Sequence, residues 1–553
     1  MSTEMNVESA LKTWESCRVA LSSAIGAYVA SCNDLHTACA RSVQHLSGRQ
    51  NLENLFALID ETLPDLAEEE ARLLKARAKL STTRNSSRSL TSIHTLPSEI
   101  LSQVFTVLHN DAKDPTRSNN NPFGYSILGT SASWRQVAIN TPALWTHIRI
   151  ICDNHQTSYD RATVCLVRSG LLPLDIHAVI RTPFEQNETD WSQRLSQFLE
   201  KASFRIQMLD IEAQGNAAHM AREIMRIWMT SRPTIITKIL SIRTYTLYHM
   251  RIAPVSTEWE ANQPPFQYAE EALRSVTVLH LQEVTIPWAS PVYHGLVDLR
   301  LAYNEDKSPI ISASQLAIIL CSSPELVNLT MVNVTIGRAD SLGGRRTAHL
   351  HYLDQLTLIG TSCNNLDRLL ALFSVSGSRN KLKVRFTHYR LGEQTDAIIR
   401  FLSTSFVKTL HCSSTDYSAN ALALLPMGKL LPYTENLVLE GFKPIFQFHL
   451  NALSSESGPN WSGMSSETGL LTRFPNLHIV SSGVTLESLK FIIRAYGIRF
   501  LRLERCSAAS EPYDLNSWGP LLQQEFPDFD FVVTEEHLTS IGPPFERLVS
   551  LFA

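Results

Sequence analysis

The chain has 553 residues, about three or four domains' worth, with 49 Lys or Arg against 53 Asp or Glu and a net charge of −4. That balance supplies no global basic field for nucleic acid or an anionic membrane surface. Hydrophobic residues make up 44% and charged ones 18%, which provides for a sizeable core and excludes bulk disorder.

The N-terminal segment, 1–80, predicts helix. Trp14, Leu21, Ile25 and Tyr28 recur at three- to seven-residue steps, as do Leu52, Leu55, Phe56, Ile59, Leu63 and Leu66. Acids Glu68, Glu69 and Glu70 precede bases Arg72, Lys75 and Arg77, an order that suits i,i+4 pairing and the helix dipole. Ser47-Gly48 marks a break, and Pro64 a kink or restart. Either an antiparallel helical hairpin or a coiled coil for dimerisation accounts for the two runs. Residues 81–92, STTRNSSRSLTS, contain no acid and little apolar material and read as a linker.

The segment IHTLPSEILSQVFTVL, 93–108, is the most informative. Pro97 suits a first helical turn, Glu99 favours the dipole there, and Ile100, Leu101, Val104, Phe105 and Leu108 give a broad apolar face. A polar interval, 109–122, separates it from SWRQVAINTPALWTHIRI, 133–150. In that second run Trp134 stands on a helix, Thr141-Pro142 breaks it, Leu144-Trp145 packs, and a strand begins at His147.

From Trp145 onward an apolar-x-x-apolar-x-apolar pattern recurs: Trp145-Ile148-Ile150, Leu171-Leu174-Ile176, Ile206-Leu209-Ile211, Leu326-Leu329-Met331 and Ile498-Leu501-Leu503 among others. Each unit predicts a short strand with one buried face. Helical runs such as 312–325 and 486–497 lie between them. The spacing of about 26–28 residues between several units matches a leucine-rich-repeat solenoid, whose turns bury their faces only by stacking. The repeats are degenerate: Val284 and Val334 occupy the position where an inward Asn or Cys is expected, and Cys506 alone fits. An irregular α/β domain with parallel strands is the other reading. Two loops, 251–267 and 453–469, interrupt the array.

Chemical motifs are missing. No HExxH, GxxxxGK[ST] or GxSxG occurs, and no two cysteines stand closer than Cys32 and Cys39, which leaves no CxxC pair. Gly343-Gly344 beside Arg345-Arg346 reads as a loop tip, His349 and His351 make at most a weak metal site, and Asp528 and Asp530 fall on one side of an expected strand with a buried face. No signal peptide is expected, and no apolar stretch approaches the ~18–20 residues that span a bilayer.

LPSEIL followed by SWRQVA and TPALWTHIRI resembles the F-box-like proteins abundant in mushroom-forming fungi, in which a helix-rich stretch precedes the F-box and a leucine-rich-repeat-like region follows. In place of that family's Val-Cys pair before the Trp, Thr130 and Ser131 stand here, and Leu96 and Trp134 are widely separated. The resemblance implies an α plus α/β architecture: helical hairpin or coiled coil (1–80), linker (81–92), helical F-box module (93–150) and degenerate repeat solenoid (151–553). It implies that Leu96, Pro97, Ile100, Leu101 and Val104 dock a Skp-type adaptor, with Trp134, Leu144 and Trp145 packing the module and completing that surface. By the same resemblance the chain is a substrate receptor of a Skp–cullin–F-box ubiquitin ligase, cytoplasmic or nuclear, working through the adaptor on a cullin scaffold and recruiting a target protein. No cofactor, metal, nucleic acid, membrane or catalytic residue is expected. A repeat scaffold outside any ligase, with the helical module as a cap, is the alternative.

Overall fold

A computed structural model describes residues 7–42, 49–85, 96–111, 123–152, 156–180, 188–214, 218–230, 237–245, 250–251, 272–304, 309–337, 347–360, 363–375, 382–387, 396–413, 433–441, 474–508 and 515–534. The chain divides into two compact units: Met1–Leu101 with Ile127–Arg135, and Ser102–Ser126 with Gln136–Ala553. The division falls inside the 93–150 segment. The intervals 112–122 and 338–346 and the loop 453–469 lie outside the described residues, as does 252–267.

In the first unit, α1 (Val7–Ser42) and α2 (Arg49–Asn85) are long helices. Arg72 bridges Glu68 and Glu69, each at 2.9 Å, so the acid-before-base order is realised. Two expectations are corrected. α2 runs unbroken through Pro64 and extends to Asn85, taking in the start of the expected linker. And none of the described side chains of α1 and α2 is buried, so neither helix hides its apolar row against the other as a packed hairpin would.

Next in the chain come α3 (Ser98–Asp111), α4 (Phe123–Thr130) and α5 (Ala132–Ile139). Pro97 precedes α3, and its carbonyl accepts the first helical bond from the Leu101 N–H at 3.1 Å. The Ser131 hydroxyl accepts from the Trp134 N–H at the start of α5, a side-chain cap. A 3-10 turn, Pro142–Trp145, then leads into the sheet.

Among the described residues, the second unit is built on fourteen parallel strands in strict chain order. They are β1 (His147–Cys152), β2 (Leu174–Ile180), β3 (Ile206–Gln214), β4 (Ile239–Tyr245), β5 (Val278–Gln282), β6 (Asp298–Ala302) and β7 (Asn328–Val332), followed by β8 (Gln355–Ile359), β9 (Leu382–Thr387), β10 (Val407–Ser413), β11 (Asn436–Glu440), β12 (Asn476–Val480), β13 (Phe500–Glu504) and β14 (Asp530–Thr534). The register sets like residues abreast. Leu299, Leu329 and Leu356 are neighbours in β6–β8, and Leu437, Leu477 and Leu501 in β11–β13. Two positions on, Leu301, Met331 and Leu358 form a second column. A strand's side chains alternate between faces, so one face of the sheet carries both columns. Helices α6 (Gln156–Arg168), α7 (Glu188–Ala202), α8 (Ala218–Thr230), α9 (Ala313–Cys321), α10 (Cys363–Leu370), α11 (Asp396–Thr404), α12 (Leu486–Tyr496) and α13 (Trp518–Glu525) lie on the connections. Their Trp228, Leu316, Leu369, Leu489 and Trp518 join the same buried cluster as the columns.

The ends of the strands repeat as well. Glu283, Asn333, Gly360, Gly441, Ser481 and Arg505 each directly follow a strand and have φ between 47° and 75°. The amides of Glu283, Asn333 and Ser481 extend the ladder to the next strand's last carbonyl at 2.8–2.9 Å. Beyond several of these turns short parallel pairs form, such as Ile310–Ser312 with Thr335–Gly337 and Gly483–Val484 with Ser507–Ala508. Val334 is buried, and the half-buried Asn333 beside it donates its Nδ2 to the Tyr303 carbonyl at 2.7 Å. Cys506 donates to the Ile479 carbonyl at 3.3 Å, as expected of it. Leu171 is exposed rather than inward, and Asp528 precedes β14 rather than sharing a strand with Asp530.

Gly360 has φ +65°, and a Cβ there would lie 1.6 Å from Asn333 Oδ1. Gly360→Ala therefore strains the backbone and displaces the Asn333 side chain from its carbonyl. It is expected to destabilise the second unit by about 1–3 kcal/mol, read as a lower denaturant midpoint with unchanged slope.

Candidate functional site

Two surfaces stand out, one on α3 and one on the sheet. α3 is apolar on more than one side. Leu101, Phe105 and His109, four residues apart, are buried. On the adjoining side Leu96, Ile100, Val104 and Val107 are exposed, Ile100 at 42% against 1% for Phe105. Pro97 is exposed beside them. The helix is fixed by a hydroxyl pair, Thr141 Oγ1 donating to Ser102 Oγ at 2.9 Å. Trp145 donates its indole N–H to the Ala138 carbonyl at 2.8 Å, and the Arg168 guanidinium stacks over its ring at 4.5 Å.

Of the residues that the resemblance assigns to adaptor docking, the structure leaves Leu96, Pro97, Ile100 and Val104 in solvent. Leu101, Leu144 and Trp145 are buried and Trp134 half-buried. The first four can touch a partner; Leu144 and Trp145 hold the fold beneath.

The second surface is the face of the sheet opposite the two apolar columns. It mixes polar side chains with apolar ones such as Met208, Ile239, Val278 and Val438, and many of its charges are paired, mostly between neighbouring strands. His177 on β2 lies 3.5 Å from Asp210 and 3.6 Å from Glu212 on β3, while Arg243 on β4 meets Asp210 at 2.8 Å. The nearby His177 ring, with the Arg243 charge adding to it against the cost of burial, brings the Glu212 carboxyl down to about 2. Farther along, Asp298 on β6 receives His280 at 3.2 Å, Arg300 at 3.3 Å and the Asn328 amide at 3.0 Å. Glu440 on β11 receives Arg385 at 3.0 Å and His411 at 2.9 Å. Glu504 on β13 receives His478 at 3.2 Å and Arg505 at 3.1 Å.

A histidine beside a carboxylate thus recurs four times, with an arginine at hand each time. None of these groups was singled out in the sequence, because each set comes from strands far apart in the chain. The arrangement holds these polar side chains against one another across the face. Side chains already held by their neighbours lose little freedom when a partner lands on them. His349 and His351 stack at 6.2 Å between ring centroids. Among the described residues no group of three potential metal ligands occurs, and no helix is long and apolar enough to cross a membrane.

Burial, with the nearby Arg385 charge, lowers the His411 pKa despite its bond to Glu440. His478 is lowered by burial as well. The folded chain therefore holds these rings neutral where the unfolded chain, titrating near pH 6.5, takes up protons. Stability falls as pH drops through that value. Thermal melting at pH 7.5 and 5.5 is expected to give a lower Tm at 5.5, and His411→Gln, which keeps a donor for Glu440, is expected to narrow the gap.

Comparisons with protein-family models and with curated proteins return no match for this chain, so the reading of both surfaces rests on their own residues.

Proposed function

We propose that the chain is the substrate-receptor subunit of a Skp–cullin–F-box ubiquitin ligase, with α3 docking a Skp-type adaptor and the parallel sheet receiving the protein to be ubiquitinated. The observation that carries this reading is the row Leu96, Ile100, Val104 and Val107, left in water on a 14-residue helix whose other side is buried. Clustered apolar side chains of this kind mark a place where another protein binds. Helix-in-groove docking uses anchors at such spacing, Ile100 and Val104 lying one turn apart.

The second unit supports the other half of the reading. Strand, left-handed turn and crossover helix repeat along the chain with each strand beside its predecessor, the construction expected of a leucine-rich-repeat-like solenoid. One sheet face is consumed by the core. The other presents His280, Arg300, His478 and Arg502 with their carboxylate partners to whatever the chain recognises. In this role the protein performs no bond chemistry itself; it raises the target's effective concentration near the conjugating enzyme.

Co-expression with the Skp-type adaptor of the source organism tests the proposal. The wild-type chain is expected to elute with it as a one-to-one complex. Ile100→Asp/Val104→Asp, which places charge on the exposed row and leaves Leu101 and Phe105 untouched, is expected to weaken the complex more than a hundredfold while keeping the wild-type circular dichroism. A folded wild-type chain that binds no adaptor would sink the ligase reading and leave the repeat scaffold.

A further inference from the structure

The apolar rows of α1 and α2 follow a stricter rule than amphipathic helices need. In α1 the row is Leu11, Trp14, Arg18, Leu21, Ile25, Tyr28, Cys32 and Leu35. In α2 it is Phe56, Ile59, Leu63, Leu66, Glu70, Leu73, Arg77 and Leu80. Steps of three and four alternate throughout each row, the a/d pattern of a coiled coil sustained for about four heptads. Pro64 stands off the row. Yet Leu11, Trp14, Leu21, Ile25, Tyr28 and Leu35 are exposed, and so are Phe56, Leu63, Leu66, Leu73 and Leu80. Both helices are present in full, and they do not bury each other's row.

We infer that the occupant of these rows is a second copy of this chain, with α1 of each copy packed antiparallel along α2 of the other. The register is fixed by charge and shape. When partners are chosen so that their residue numbers sum to 91, the helix ends Ser42 and Arg49 coincide. Every layer then pairs a residue from each helix: Leu11 with Leu80, Ile25 with Leu66, Tyr28 with Leu63, Cys32 with Ile59. The two charges in the α2 row find complements. Arg77 meets the Trp14 ring, a cation–π arrangement, and Glu70 stands in the layer next to Arg18.

Sliding by one heptad in either direction takes Arg77 off Trp14, and the slide that makes the numbers sum to 98 also parts Glu70 from Arg18. A parallel pairing of like helices sets Arg18 on Arg18, Glu70 on Glu70 and Arg77 on Arg77, which is repulsive. The antiparallel arrangement is also self-complementary, as a two-fold dimer requires: residue i meets j, and j meets i in the symmetric contact. This inference does not depend on the ligase reading, since it uses neither α3 nor the sheet.

The full-length chain tests it. Light scattering at micromolar concentration is expected to give about twice the 62.0 kDa of one chain, and Ile25→Asp/Leu66→Asp is expected to halve that mass while leaving the second unit's thermal transition in place. For the register, Ile59→Cys is oxidised beside wild type. Its thiol should bond to Cys32 of the other copy, giving a band of double mass on non-reducing gels. Leu63→Cys, one layer away, should stay at the wild-type background. A monomeric wild-type mass, a Cys32–Ile59→Cys bond within one chain, or equal cross-linking of Leu63→Cys would each overturn the proposal. The intrachain bond would show instead that the two helices close on each other.

Discussion

Everything in the second unit depends on one demand of parallel pairing: a strand that runs beside its predecessor in the same direction needs a crossover to return the chain, and that crossover must cover the face it passes. After six of the described strands the return begins in the same way. A left-handed residue directly after the strand lifts the chain off the sheet while its amide still extends the ladder, as at Asn333 donating to Ile359 and Ser481 donating to Glu504. Gly fills that position at 360 and 441, while Glu283, Asn333, Ser481 and Arg505 hold it at the cost of strain. Asn333 is the residue type that bears such a conformation best, and its side chain also satisfies a carbonyl. The apolar columns stay in register across the fourteen described strands, although the intervening segments differ in length.

The opposite face follows from the same register. Placing β9, β10 and β11 side by side brings Arg385, His411 and Glu440 together, although nothing adjacent in the sequence links them. Arg385 is only 1% exposed, a position where an unpaired guanidinium would be costly. Glu440 supplies its counter-charge, and its own carboxyl is held below its ordinary value because the His411 bond and the Arg385 and Arg505 charges outweigh the penalty of burial. Charges on this face are tolerable only in such sets. A substitution at one strand therefore alters the polar surface of the next two, so the charge pattern of this face is a property of the register as much as of any side chain.

Much of this was legible in the residues. The Leu-x-x-Leu-x-Leu units marked most strands, and the capping box at Ser312 and Gln315 starts α9 where the sequence predicts a helix. β4 escaped because the first position of its unit is Thr237 rather than an aliphatic residue. Thr237 is nevertheless buried, its hydroxyl donating to the Ile206 carbonyl at 2.7 Å. Thr434 does the same ahead of β11, donating to the Val407 carbonyl at 2.8 Å, which is why that unit matched only in part. β12, with Phe474-Leu477-Ile479, fits the pattern and was hidden by the polar loop before it. On α3 the periodicity placed one broad apolar face; it could not divide the buried Leu101 and Phe105 from the exposed Ile100 and Val104, because that division depends on which neighbours arrive from elsewhere in the chain. The histidine–carboxylate sets were illegible for the same reason.

The two units differ in how fully they satisfy their own apolar residues. In the sheet, most leucines sit at or near zero exposure, from Leu209 on β3 to Leu503 on β13, with Leu437 half-buried, and the crossover helices cover this face. That part of the chain needs nothing further to hide its core. The helices before it are different: Trp14, Ile25, Tyr28, Leu63, Leu66, Ile100 and Val104 are all left in water. Burying a side chain of this size gains about 1.5–3 kcal/mol, so rows of them kept exposed in one chain represent association free energy held back from folding. The contrast is physical: the sheet's apolar columns are enclosed by its own crossover helices, whereas the helices at the start of the chain carry apolar rows exposed among the described residues.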